Sequence, residues 1–571
     1  MSRDEDTEAG FEQFERFLRE WSRRDFLKRA GGAAAYMTFL AGGVEFLEAC
    51  AGGGTGTQSA TPKKGGHVVE GNFSDVRTFN SMLSSDTASN QVIGLMFDGL
   101  LNSKATGELV PALASDMPKV SSDGMTYTFK LRSGLKWSDG KPITSEDVKF
   151  TYSLAQDPAY KDVASPRRGD LSKYIKSIDT PDPQTVVFTM TQVFAPFLAS
   201  HGQYGILPKH VLGTLDAKAI NTADFNTAPS VSNGAFKFVK WDKGAQVTLE
   251  RNDNYWAGAP YLDQWIYKVL PDSVAVTNQL KTGEIDIGPV DPGQADSLKG
   301  VDSVTMTEFP VAIFTFYAYQ LDPAKTTLFQ DKAVRQALAY ALDRDSMVKA
   351  IDFGLAQVAV GTMPVLSWAY APDKITNKYP FDINKANQLL DQAGWAKGPD
   401  GIRAKDGKKL SFTLWTNAGN TQRGQYVTVM QQMWKAIGVD ASPKTEEWNA
   451  YITRITETHD FEIFLVGFGW QPDPDQTSMW SCDAYKGGFN LNKYCNPQVD
   501  DLLAKGLSTL DQAQRKQYYE QMENLLMDDL PSMILDFPKA TSAVNKRVHN
   551  LTPNAINVYW DAHLWWVDDG K

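Results

Sequence analysis

The chain has 571 residues, a formal net charge of -11 and 22% charged residues. An acidic chain with no long basic run after its N-terminal leader is a poor ligand for nucleic acid or for an anionic membrane surface. Roughly 500 residues remain once the leader and a tether are set aside, enough for more than one core, so two or three lobes are expected.

The leader comes first in the chain. Ser22-Arg23-Arg24-Asp25-Phe26-Leu27-Lys28 precedes a small, moderately apolar run ending at Leu47-Glu48-Ala49-Cys50, the pattern of twin-arginine export. Gly31 to Ala49 holds four glycines, Glu45 and Glu48, too weakly apolar for a good membrane span. The four residues ending at Cys50 resemble a lipobox, with Glu48 standing where a small residue is favoured. Residues 1–49 are therefore read as an export and lipoprotein signal, with Cys50 as the lipid anchor. Residues 50–65 form a Gly-, Ser- and Thr-rich flexible tether. The body is expected outside the cytoplasm, held at the outer face of the cytoplasmic membrane.

Mixed α and β signals follow. Tyr127, Phe129 and Leu131 alternate along Thr126–Arg132, and Ser133-Gly134 ends that strand. Thr144-Ser145-Glu146-Asp147 reads as a helix N-terminus before Val148, Thr151, Tyr152 and Ala155 at helical spacing. A hairpin runs through Ala235–Trp241, turns at Asp242-Lys243-Gly244 and returns through Gln246–Arg251. Asp331 and Asp382 are read as caps of two further helices. Leu410–Thr416, a helix over Thr421–Ile437 stopped by Gly438, and a strand from Val439 make a crossover unit. Phe461–Phe468 is a buried strand that empties into Gly469-Trp470-Gln471-Pro472-Asp473-Pro474-Asp475.

Catalytic motifs are absent: there is no G-x-S-x-G, H-E-x-x-H, phosphate loop or C-x-x-C, and the six His show no metal-ligand spacing. No metal or cofactor is expected. With Cys50 acylated, the remaining cysteines are Cys482 and Cys495, and an oxidising compartment predicts their disulfide. Fifteen Trp supply candidate stacking surfaces, although core packing is the commoner use of any one of them.

Several segments in order resemble the extracytoplasmic solute-binding proteins of ABC importers, in the oligopeptide-, dipeptide- and nickel-binding class (family 5). They are Phe97-Asp98-Gly99-Leu100-Leu101, the stretch from Leu131 through Trp137-Ser138-Asp139-Gly140 to Val148, Asn233-Gly234-Ala235-Phe236, Leu249 to Trp256, Gly283-Glu284-Ile285-Asp286 and Val334-Arg335-Gln336-Ala337-Leu338. The resemblance implies an α/β, two-lobed periplasmic-binding-protein fold with an extra inserted region and a hinged cleft. Its first lobe would be 66–98, 225–310 and 536–571, its inserted region 99–224 and its second lobe 311–535, with two crossing strands as hinge. The implied partners are a cleft-bound ligand and the subunits of a membrane permease, with the receptor itself monomeric.

Matched to the family, the ligand-lining positions fall on Ser85, Asp86 and Thr87 in the first lobe and on Trp448, Trp470, Gln471 and Asn490 in the second. Peptide-binding relatives carry an aspartate near Gln471 that pairs with the ligand's amino group, a charge-assisted bond that an amide does not replace. Asp473 or Asp475 could serve instead, their other reading being turn formation. The leading reading is a peptide receptor that closes on its ligand. An oligosaccharide receptor using Trp448 and Trp470 is the alternative, and an exported cofactor enzyme a remote one.

Overall fold

The computed structural model describes residues 61–470 and 473–568, and the export signal, Cys50, most of the tether and Gln471 lie outside them. Twelve strands form one sheet, ten of them in a continuous path and two, Val304–Pro310 and Ala356–Val358, pairing off that path with Ser532–Asn545. On the first-lobe side, Phe236–Asp242, Gln246–Arg251, Gln264–Val269, His67–Asn72 and Ile287–Val290 lie side by side. On the second-lobe side the order is Ile313–Tyr319, Ile463–Gly469, Ser411–Asn417 and Asp440–Glu446. One long strand, Ser532–Asn545, belongs to both.

Ser532 to Pro538 of this strand pair with Ile313–Tyr319 and Ala356–Val358, and Lys539 to Asn545 pair with Val304–Pro310. The two segments adjoin there, with Pro310 opposite Lys539 and Val311 N–H donating to the Pro538 carbonyl. Asp536, Phe537 and Pro538 pair with Val358, Gln357 and Ala356, within a strand that hydrophobic pattern alone does not divide.

The predicted local units are present. Thr126–Lys130 is a strand with Tyr127 and Phe129 buried, in a four-stranded antiparallel sheet within residues 99–224. The helix Ser145–Gln156 begins where Asp147 accepts from the Thr144 backbone N–H at 2.9 Å, and buries Val148, Thr151, Tyr152 and Ala155. The hairpin pairs Phe236 with Arg251 and Asp242 with Gln246. Asp331 and Asp382 cap Lys332–Tyr340 and Ile383–Gln392 through their side chains. Ser411–Asn417 and Asp440–Glu446 are parallel, joined by the helix Thr421–Ala436, and Gly438 takes φ +82°, a backbone conformation that glycine adopts without a Cβ penalty.

The family-like motifs hold these pieces together. Asp286, 1% exposed, accepts from Val69 N–H and from Nε and Nη2 of Arg547. Arg335 donates to the carbonyls of Phe329 and Leu530 from inside the second lobe. Trp256 Nε1 donates to Asp98 at 2.6 Å while Arg132 lies 4.4 Å over the Trp256 ring. One apolar core includes Phe97, Trp137, Phe188 and Trp265, a second lies around Val276, Leu280, Ile285 and Ala543, and another around Phe316, Phe464, Tyr519 and Phe537.

Candidate functional site

Residues 99–224 face the second lobe, and the two touch where Ala195 N–H donates to the Leu507 carbonyl at 2.8 Å. Two cavities lie between them. The larger, about 850 Å³, is walled by Glu108 and Leu198 on one side and by Trp368, Trp470, Asp473 and Arg515 on the other, with Ile556 from the C-terminal segment. The second, about 660 Å³, has Arg167, Lys173, Tyr174 and His201 facing Asp475, Thr477 and Ser478. Asp473 borders both. Cavities of this size between lobes, with polar groups on apolar walls, are the usual form of a small-molecule site.

Asp473 is not an open anion. Its carboxylate accepts from Nη1 and Nη2 of Arg515 at 2.8 and 2.6 Å, with the two side chains 4% and 6% exposed. Arg515 is itself held by the Gly506 carbonyl at 2.8 Å, the Tyr519 hydroxyl at 3.0 Å and the Trp368 ring at 5.3 Å. A bidentate pair so enclosed presents a nearly neutral wall. The charge partner of Asp473 in this structure is Arg515, 42 residues further along the chain.

Asp475 accepts from the backbone N–H of Thr477 at 3.1 Å and from its hydroxyl, and its own N–H donates to Asp473 at 3.0 Å. These are the turn bonds that Asp-Pro-Asp invites. Desolvation pushes the Asp475 carboxyl above the usual range, Asp473 adding to the effect.

The other sequence-derived positions divide. Trp470 lines the larger cavity, stacks 4.6 Å from Phe314, and its buried indole N–H has no acceptor among the described residues. Trp448 is 45% exposed at a helix start and walls neither cavity. Ser85, Asp86 and Thr87 also lie outside both walls, and Asp86 caps the helix Thr87–Met96 by accepting from Ser89 N–H at 2.8 Å. Asn490 is 1% exposed, donating to the Ser481 and Tyr494 carbonyls and accepting from Tyr494 N–H. A disulfide joins Cys482 and Cys495 beside it. Sequence reasoning missed Arg515, Trp368 and Arg167, none of which sits in a recognisable motif.

The crossing strand carries a further electrostatic feature. Asp536 is 0% exposed and neither carboxylate oxygen meets the geometry of a hydrogen bond. Burial, then the neighbouring Asp352, pushes its pKa up to about 7. Asp352 accepts from Tyr426 and Gln422.

Among the described residues of these walls, no set of nucleophile, base and oxyanion donors converges. They can enclose a ligand, stack on it and hydrogen-bond it, which is what reversible capture requires. The model for bacterial extracellular solute-binding proteins, family 5, matches residues 108–490. The oligopeptide-binding protein AppA of Bacillus subtilis is 32% identical over 549 residues, 95% of this chain and 100% of that one. The dipeptide-binding protein of Escherichia coli is 28% identical, covering 78% and 83% respectively. The structure of AppA from Bacillus subtilis in complex with a nonapeptide superposes with a TM-score of 0.73 at 31% identity, over 89% of this chain and all of that one. This chain belongs to the bacterial extracellular solute-binding proteins of family 5.

Proposed function

We propose that the protein is the peptide-capturing receptor of an ABC importer, closing its two lobes on the ligand and presenting the closed form to a membrane permease. The observation that carries this reading is the full-length likeness to a receptor solved around a nonapeptide, together with two adjoining interlobe cavities of about 850 and 660 Å³. Ligand bonds made to both lobes supply the differential affinity that favours closure. Trp470 offers a stacking face and a free N–H, and Lys173 and Asp475 offer charges of both signs. Twin-arginine export, acylation at Cys50 and a monomeric receptor tethered to the outer face of the membrane belong to the same proposal, supported by the leader pattern. So does the three-region division, with residues 99–224 inserted in the first side.

A thermal-shift screen of a soluble form starting near Lys63, unfolded and refolded to strip carried-over ligand, tests it. One pool holds mixed peptides and the other oligosaccharides. A ligand at 100 times its Kd adds about 2.7 kcal/mol of stability, so peptides should raise Tm and sugars should not. A shift with sugars alone would overturn the peptide reading.

A further inference from the structure

A third cavity, about 410 Å³, lies apart from the two already described. Its walls come from within 94–112, 255–257 and 556–563, with Gln203 and Ala235, and no described residue of 311–535 borders it. It shares Ile556 with the 850 Å³ cavity. A ligand held here would touch the first side alone, so capture between two lobes does not account for it.

The walls carry charge of one sign. Asp98 and Asp561 border the cavity, and no Lys or Arg of the described residues does. Neither carboxylate forms an ion pair among the described residues. Asp98, 8% exposed, accepts from Trp256 Nε1 at 2.6 Å, with Tyr255 beside it as well. Both are neutral donors, and burial raises the Asp98 pKa to about 6, so at pH 7.5 the carboxyl is ionised and its charge unmatched. An unpaired buried charge is costly, and a cation entering the cavity would lift that cost. Arg132, 4.4 Å over the Trp256 ring, is taken by the Ala112 carbonyl at 2.6 Å and does not border the cavity. His563 packs 5.4 Å from the Tyr255 ring, and burial pushes its pKa down, which leaves it neutral.

Aromatic surface adjoins these carboxylates. Tyr255, Trp256 and Trp560 border the cavity and are each half-buried. The Tyr255 and Trp256 rings lie 5.7 Å apart at 58°, whereas the Trp560 ring is paired with no other ring among the described residues. Carboxylates next to ring faces, without a competing basic side chain, attract an ammonium twice over: through charge, and through the ring quadrupoles on which its carbon groups lie. A hard metal ion fits less well, since it takes six or more oxygen ligands and the indole rings supply none.

We propose that this cavity is an accessory ligand site for a small organic ammonium ion, held by the charges of Asp98 and Asp561 with its carbon groups against Tyr255, Trp256 and Trp560. The inference stands apart from the peptide reading, and its failure would leave that reading untouched.

The test is titration calorimetry of the refolded protein at pH 7.5 with choline, with ethanolamine and with 3,3-dimethylbutan-1-ol, the neutral carbon counterpart of choline. At least one of the two ammonium ions should bind about tenfold or more tightly than the neutral alcohol, as a desolvated cation–π contact implies. Asp561→Asn removes one charge and keeps a residue type that tolerates the φ of +56° found there, and Trp560→Leu removes one ring. Each should weaken ammonium binding roughly 5- to 30-fold, with far-UV circular dichroism showing that the variants are folded. Absence of ammonium binding by wild type, equal binding of the neutral alcohol, or an ammonium affinity untouched in either folded variant would each overturn the inference.

Discussion

Replacing Arg515 by Met should be among the most damaging single changes in the second lobe. The substitution removes two hydrogen bonds to Asp473, one to the Gly506 carbonyl and one to Tyr519. It leaves a carboxylate that is 4% exposed without its counter-ion. Breaking a buried pair from one side costs about 3–5 kcal/mol, because the desolvation of the surviving charge is no longer offset. Met fills much of the guanidinium's volume against Trp368 and Tyr519, so little of that loss comes from a cavity. Urea unfolding followed by tryptophan fluorescence reads the change, with the double variant Asp473→Asn/Arg515→Met as comparison. Asn still accepts from the Asp475 N–H and carries no charge, so the double variant should recover most of the loss. A single-variant cost below about 1 kcal/mol, the figure for an exposed pair, would refute the reasoning, as would a double variant no more stable than the single one.

Three further outcomes follow from the same structure. Asp536 has a folded pKa of about 7 against an ordinary 3.8, so between those values the native state holds a proton that the unfolded chain has released, and stability falls as pH rises. Asp536→Asn should match wild type near pH 4 and exceed it at pH 7.5 by up to about 4 kcal/mol, the shift converted at 1.36 kcal/mol per unit; parallel stability profiles from pH 4 to 7.5 would refute it. Gly234→Ala would place a Cβ 2.6 Å from the Met96 carbonyl carbon and 2.7 Å from the Leu95 oxygen, both backbone, and should cost about 1–3 kcal/mol in thermal unfolding; an unchanged Tm would contradict that close approach. Converting Cys482 and Cys495 to Ser opens a loop of sequence separation 13 and should lower stability by about 3 kcal/mol in the chain-entropy view, measured against wild type with and without reductant; indifference of wild type to reductant would argue against the bond.

Local chemistry was legible without coordinates. The Asp331 and Asp382 caps, the Asp242-Lys243-Gly244 hairpin and the buried strand at Ile463–Val466 each depend on side chains within a few residues, and a short stretch of sequence carries that information. Ordered motifs from Phe97 to Leu338 carried the family, and the coordinates explain why: Asp98, Trp256, Asp286 and Arg335 tie separate segments together, so their identities are constrained by the fold.

The cleft was less legible, because its charges are assigned by partners far away in the chain. Nothing near Asp473 announces Arg515, and nothing near Arg167 announces that no carboxylate among the described residues pairs with it. Asn490, polar and placed in a Gly-rich loop, looks available in one dimension and is sealed in three. The amino-acid sequence by itself determined the α/β lobes, the order of their elements and the family. Tertiary structure alone decided which cleft charges cancel and which stay open, since electrostatic pairing depends on distance and burial, and neither is a property of neighbouring residues.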